Sequence, residues 1–152
     1  MHQIGCTMHK WDNRYLNLAK FISQWSKDPS TQCGAVLVGT NNHVVSIGYN
    51  GFPSYIQDTN ERLQHRETKL AMTIHAERNA LIFAKQDLHG CSLYTYPLQC
   101  CSECAAMIIQ AGIDRHVSIN NVPDRWKNSF DLANQMFNEA NVQTTYYERT
   151  KL

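Results

Sequence analysis

The sequence predicts one α/β domain: a central, mostly parallel sheet covered by helices, with an antiparallel hairpin at its start. Three observations predict it. The chain has 152 residues, one domain's worth, of which 43% are apolar and 18% charged, as a packed core requires. Its hydrophobic patterns alternate in the order α-β-β-α-β-α-β-α-β. Its first two strand patterns are separated only by the turn pair Asn41-Asn42, which makes them a hairpin.

Each element follows from local pattern. Trp11, Tyr15, Leu18, Ala19, Ile22 and Trp25 recur at helical spacing, and Asp28-Pro29-Ser30 bounds that helix. These aromatics are expected in the core or at a subunit contact. Gly34–Val38 reads as a buried strand, and His43–Asn50 as its hairpin partner. Gly51-Phe52-Pro53 opens an irregular segment of about twenty residues, long for a loop and therefore either functional or an ordered excursion. A helix spans His75–Ala84, a strand Ser92–Tyr96, and a helix Ser102–Ala111 capped by Gly112. His116–Ile119 is a strand, Ser129–Ala140 a helix, and Val142–Tyr147 the last strand. Residues 1–10 are expected to form a flexible tail, and 11–150 the single domain.

Composition excludes several functions. Fourteen Lys and Arg against thirteen Asp and Glu leave a formal net charge of +1. Gripping a nucleic-acid backbone requires a broad basic surface, so no nucleic-acid partner is expected. No run approaches the roughly 20 apolar residues that cross a bilayer, so no membrane partner is expected either. The first ten residues lack an apolar core of the secretory kind, which points to the cytoplasm, or a host's cytoplasm if the chain is viral. There the six cysteines are expected reduced. Cys6, Cys33 and Cys91 are scattered, whereas Cys100, Cys101 and Cys104 cluster, which points to metal or catalysis.

Two motifs carry chemistry: His75-Ala76-Glu77 and Cys101-Ser102-Glu103-Cys104, each at the expected start of a helix. One imidazole and two thiolates supply three zinc ligands and leave a fourth position open, the count of a catalytic centre. Two thiolates balance Zn²⁺, and helix N-termini stabilise thiolate charge. Residues i and i+2 of a regular helix point about 200° apart. His75 and Glu77 therefore converge only if the helix begins within a residue or two of His75; Glu77 is then a proton carrier beside the metal and not a ligand. Taken singly, His-x-Glu is a common surface helix start, and Cys-x-x-Cys also serves structural zinc and redox pairs. Their combination at successive helix starts is specific.

At these residues the sequence resembles the zinc-dependent cytidine and deoxycytidylate deaminase superfamily, whose signature is H-x-E…P-C-x-x-C. Within it the resemblance is to the deoxycytidylate (dCMP) deaminases. It spans about Tyr15 to Tyr147, through Ser26–Ala35, Gly48–Pro53, His75–Leu81, Cys101–Ala105 and Ile108–Ile113. It implies a three-layer α/β/α sandwich with a mixed five-stranded sheet. It implies hydrolysis of dCMP to dUMP and ammonia, with water activated by zinc attacking C4 of the base. Its implied site comprises His75, Cys101 and Cys104 on zinc, Glu77 as catalytic acid and base, and Ser26, Lys27, Asn50, Ala76 and Trp126 at the substrate. Arg125 stands in the same loop as Trp126. The resemblance further implies a homo-oligomer, a hexamer, activated by dCTP and inhibited by dTTP. The effector nucleotide would lie at Asn50, Gly51 and Phe52, with Mg²⁺ on its triphosphate. Gly51 is expected to use a positive φ for close approach to a ligand, or to serve only as a turn. The chain departs from the pattern at Cys100, where the family usually has proline; a register in which Cys100 becomes a ligand stays open.

Other readings have less behind them. dCTP as substrate stays open, and a tRNA adenosine deaminase is the nearest rival enzyme. A non-catalytic zinc module would need a fourth ligand, most simply Cys100. His65 could serve a second metal but is expected at the surface. His2, Cys6 and His9 could cluster on a metal but are expected in the tail. No partner is assigned to His43, His89 or His116.

Overall fold

The computed structural model describes residues 2–3 and 7–152. In chain order the elements are β1 (His2–Gln3), α1 (Lys10–Ser23), β2 (Gly34–Val38), β3 (Val44–Tyr49), α2 (Asn60–Gln64), α3 (Arg66–Met72), α4 (Ala76–Ala84), β4 (Ser92–Tyr96), α5 (Ser102–Gln110), β5 (Arg115–Ile119), α6 (Lys127–Glu139) and β6 (Gln143–Tyr147). Short 3₁₀ turns lie at Asp124–Trp126 and Arg149–Lys151.

The strands form one sheet in the order β1-β6-β5-β4-β2-β3. β4, β5, β6 and β1 run parallel, whereas β2 is antiparallel to both β3 and β4. The sheet is mixed, as expected. Its sixth strand is the two-residue β1, which pairs with β6 inside the segment read as a tail; Met1 and residues 4–6 of that segment lie outside the described residues.

Alternation along β2 builds the layers. All five of its residues are buried. Val36 and Val38 face α1, packing with Leu16, Ala19, Ile22 and Tyr94. Ala35 and Leu37 face the opposite core, made with Ala80 of α4, Ile108 of α5 and Phe137 of α6. Helices therefore cover both faces, one on one side and three on the other. They come close at two glycines. A Cβ on Gly34 would lie 2.1 Å from the Ala19 carbonyl oxygen, and one on Gly48 would lie 2.3 Å from that of Ala76. Gly48 thereby lets the first residue of α4 sit on β3, which fixes where α4 begins.

Two local expectations need correction, and one alternative is decided. Helix α1 ends at Ser23, so Trp25 lies beyond it and is half exposed, edge-on to Tyr49. The segment after β3 is an ordered excursion: it holds α2 and α3, and its base is closed by Gly51–Ile74 hydrogen bonds of 3.1 and 2.8 Å. Gly51 does not take a positive φ; among the described residues the glycines that do are Gly90 and Gly112, the latter just past the end of α5.

A buried charge ties α1 to the sheet. The Asp12 carboxylate accepts two hydrogen bonds from Arg115, at 2.7 and 2.8 Å, and one each from Tyr94 and Tyr147. Burial acts to raise the Asp12 pKa, but the Arg115, Tyr147 and Tyr94 hydrogen bonds outweigh it and the net shift is downward. A carboxylate with a lowered folded-state pKa stabilises the fold above its unfolded value of about 3.9, and that contribution disappears as the pH falls through the folded value. Asp12→Ala leaves Arg115 unpaired and should cost about 3 kcal/mol in urea unfolding at neutral pH, with the deficit against wild type shrinking toward pH 2.

Candidate active site

The site lies at one edge of the sheet, at the carboxyl ends of β3, β4 and β5, where open α/β sheets bind ligands. Two helices enter it N-terminus first. His75 is the N-cap of α4, in extended geometry at φ −65° and ψ 153°. Cys101 is the N-cap of α5, at φ −69° and ψ 166°. Neither side chain caps its own helix, so both are free to point at each other. Cys104, one turn into α5, completes the group.

His75 Nδ1 lies 3.6 Å from Cys101 Sγ and 3.3 Å from Cys104 Sγ. All three donor atoms lie within 4.8 Å of one another. A tetrahedral zinc with its usual Zn–S and Zn–N lengths holds sulfur and nitrogen about 3.6 Å apart, so the donor set fits the ion. Among the described residues this is the one such group, and Cys100 is not part of it. Its sulfur faces Glu77 and His116 instead. The register with Cys100 as ligand therefore finds no support, and a closed four-ligand site loses its obvious fourth member.

The electrostatics suit a cation. The Cys101 thiol is pulled down to about 3, first by the hydrogen bond from Cys104 and then by His75, against the opposing effect of burial. Cys104 is pushed up, because its proton serves Cys101 and because it is buried. The pair thus holds a shared thiolate at a helix N-terminus. His75 is raised by its hydrogen bond to Cys101. Glu77 is buried, and burial raises its carboxyl pKa against the counter-pull of His75. Its Oε1 lies 3.9 Å from His75 Nδ1, next to the donor group.

Of the other expected residues, Asn50, Ala76, Trp126 and Arg125 line the pocket beside the donors. The Asn50 side chain accepts from Cys33 N at 2.8 Å and donates to Thr31 O at 2.9 Å, holding that loop against the pocket. Trp126 stacks on Phe130 and meets His75 edge-on at 6.3 Å; its Nε1 is buried without a protein acceptor. Ser26 and Lys27, expected at the substrate, do not line that pocket. The buried Ser26 hydroxyl donates to Asn50 O at 2.8 Å, and exposed Lys27 pairs with Asp58 at 3.0 Å. Lys27, Asn50, Gly51 and Phe52 line a second cleft, which adjoins the first at Asp28, Asn50 and Thr73. His65 caps α3 through Thr68 and joins no metal group, and the set His2, Cys6 and His9 falls partly outside the described residues.

Sequence reasoning missed two contributors. Lys69 of α3, almost fully buried, reaches back to Asp28 and Ser30 at 3.0 Å each and pins the loop before β2 to the pocket wall. Arg78 donates from Nε to Cys104 Sγ at 3.2 Å and from Nη2 to Glu103 at 3.0 Å. The position of Arg78, three residues after His75 on the same helix, was the available signal.

A soft three-donor centre at paired helix N-termini, with a buried carboxylate beside it in an α/β/α domain, defines the class of zinc-site deaminase domains. The chain belongs to the cytidine and deoxycytidylate deaminase family: the model of that family's zinc-binding region matches residues 9–120. It is 40% identical over 140 residues to an uncharacterized deaminase of Aliivibrio fischeri, covering 90% of this chain and 93% of that one. It is 41% identical over 125 residues to deoxycytidylate deaminase of Mus musculus, covering 74% and 68%. Its fold matches the crystal structure of dCMP deaminase from the cyanophage S-TIM5 in complex with dCMP and dUMP, with a TM-score of 0.74 at 24% identity over 93% and 99% of the two chains.

Arg78 supplies a cation and a donor to Cys104 Sγ, one of the three candidate metal donors, and partners of this kind typically change metal affinity 10- to 100-fold. Arg78→Ala should weaken zinc binding at least tenfold in competition with a chelating dye, while the far-ultraviolet circular dichroism stays unchanged.

Proposed function

We propose that this chain hydrolyses dCMP to dUMP and ammonia, with a zinc ion held by His75, Cys101 and Cys104. The observation that carries the proposal is the converged donor triad with Glu77 Oε1 beside it. The deoxycytidylate deaminase relatives support dCMP as the substrate. Zinc bound there supplies the Lewis acidity that makes water a nucleophile at neutral pH.

The chain's own residues do the rest. Glu77 takes one proton from the attacking water and delivers it to N3 of the cytosine ring; it then takes the second proton from the new C4 hydroxyl and gives it to the amino group, which leaves as ammonia as the C4 carbonyl forms. Burial raises its pKa, so the same carboxyl serves as base and then as acid. Ala76 opens α4, where backbone N–H groups have no helical partner and are suited to the ring carbonyl. Trp126 offers an aromatic wall and an unpaired N–H. Asn50 keeps one N–H and one lone pair beyond its two loop contacts, enough for a sugar hydroxyl.

A monophosphate needs cations at the pocket mouth. Lys69 is already paired with Asp28. Arg66 and Arg125 line the same pocket and are exposed, and Arg125 lies 3.3 Å from Thr31 Oγ1. We assign the phosphate to these two arginines in place of Ser26 and Lys27. The second cleft, lined by Lys27, Gly51, Phe52 and Asp58, is the place for an effector triphosphate such as dCTP or dTTP with its Mg²⁺. Exposed Ile82 and Phe83 on α4 supply apolar surface for the homo-oligomer.

Ammonia release tests the proposal. Purified protein with one zinc per chain should act on dCMP in preference to cytidine, dCTP and tRNA; no release from dCMP overturns it. Glu77→Gln should keep its zinc and lose turnover by about 10²-fold or more. Arg66→Ala and Arg125→Ala should each raise the KM for dCMP about tenfold and leave deoxycytidine unaffected.

A further inference from the structure

Behind Glu77, on the side away from the metal donors, lies a buried polar chain that the reaction as described does not use. Cys100 Sγ is 3.5 Å from Glu77 Oε2 and 3.4 Å from His116 Nε2. His116 Nδ1 is 3.1 Å from the Tyr146 hydroxyl, which donates to Asn134 Oδ1 at 2.6 Å. Asn134 Nδ2 in turn donates to Gln99 Oε1 at 3.2 Å. Cys100 and His116 are 1% and 0% exposed, so no water competes for these groups.

We propose that Cys100 is a positioning residue for Glu77: its thiol, backed by His116, anchors carboxylate oxygen Oε2 so that Oε1 is held toward the metal donors. The inference rests on the deaminase reading of Glu77 given above.

Proton counting assigns the bonds. The Tyr146 hydroxyl gives its one proton to Asn134, so toward His116 it acts as acceptor and Nδ1 carries the imidazole proton. Burial keeps that ring neutral, pushing its pKa down to about 3, so Nε2 is a bare acceptor. The Thr95 hydroxyl is 3.0 Å from Nε2, but its one proton also faces Leu98 O at 2.7 Å and Ser118 Oγ at 3.0 Å, and it does not reach Glu77. The Cys100 S–H is left as the single proton facing both Glu77 Oε2 and His116 Nε2. Against a charged Glu77 the S–H donates to Oε2. When Glu77 carries a proton on Oε2, its O–H donates to sulfur and the S–H turns to Nε2. A thiol with an acceptor on each side therefore keeps the carboxyl in one orientation in both of the protonation states that a proton carrier must visit. Without it Oε2 has no other side-chain donor within hydrogen-bond distance among the described residues.

The test compares wild type, Cys100→Ala, Cys100→Ser and the shape-filling Cys100→Val on dCMP, with zinc per chain and melting temperature measured for each. Loss of the anchor should lower kcat tenfold or more in Cys100→Ala and Cys100→Val, with KM within twofold and zinc unchanged. Cys100→Ser, which keeps a donor, should retain at least half of wild-type kcat. In a Glu77→Gln background Cys100→Ala should lower kcat no further, because both changes remove the same function. The inference is overturned if Cys100→Ala and Cys100→Val keep kcat within twofold of wild type, if serine is no better than alanine, or if zinc is lost along with activity in all three variants. It is also overturned if the alanine effect recurs in full on the Glu77→Gln background. Wild type inert toward dCMP would remove the deaminase reading itself, and this inference with it. An active wild type with fully active Cys100 variants would remove the positioning role alone.

Discussion

The centre of the molecule depends on a change of backbone geometry at two residues. His75 and Cys101 are both extended, and the residue after each is helical. Had either helix started one turn earlier, its donor would lie on a regular helical face, and His75 and Glu77 would diverge by about 200°. The starts are enforced from outside. Gly48 allows Ala76 to rest on β3, and the Gly51–Ile74 bridge fixes the chain immediately before His75. Gly48 and the bridge thus act on the metal donors without touching them.

The proposed substrate is an anion, and the chain is near-neutral. Four cations around the core and the pocket are taken up by pairing. Arg115 belongs to Asp12, Lys69 to Asp28, Lys27 to Asp58 and Arg78 to Glu103 and the Cys104 sulfur. Exposed Arg66 and Arg125 border the pocket, and the proposed phosphate is assigned to them. A buried cation left unpaired in the interior would be costly, whereas an exposed arginine pair at a pocket mouth keeps its hydration until a ligand arrives.

The excursion between β3 and α4 gives the pocket its depth. It could have been a loose lid, but Lys69 crosses from α3 to the loop before β2 and is almost completely removed from water on doing so. Asp28 accepts from Lys69, from Ser30 N and from Thr31 N, so one carboxylate organises both the loop and the excursion. Asn50 holds the far side of the same loop. The pocket wall beside the candidate metal donors is thus cross-braced by side chains distant in sequence.

The sequence by itself determined the helices and strands with strong periodicity, the hairpin, and the metal motifs, because each of these is a short-range pattern: a stripe at 3.6, an alternation at 2, or ligands one helical turn apart. The requirement that α4 begin at His75 was also legible, since it follows from helical angles alone. Tertiary structure alone decided the remainder. Helices α2 and α3 are short, and α2 buries none of its residues, so their patterns carry little signal. Ser26 and Lys27 are neighbouring polar residues in sequence, yet packing buries the serine hydroxyl against Asn50 O and leaves the lysine exposed in the adjoining cleft, paired with Asp58. Cys100 meets Glu77 and His116 across 23 and 16 residues of chain. Such meetings are set by how layers stack, and a buried polar group's partner is a property of the packed interior that no local window of sequence contains.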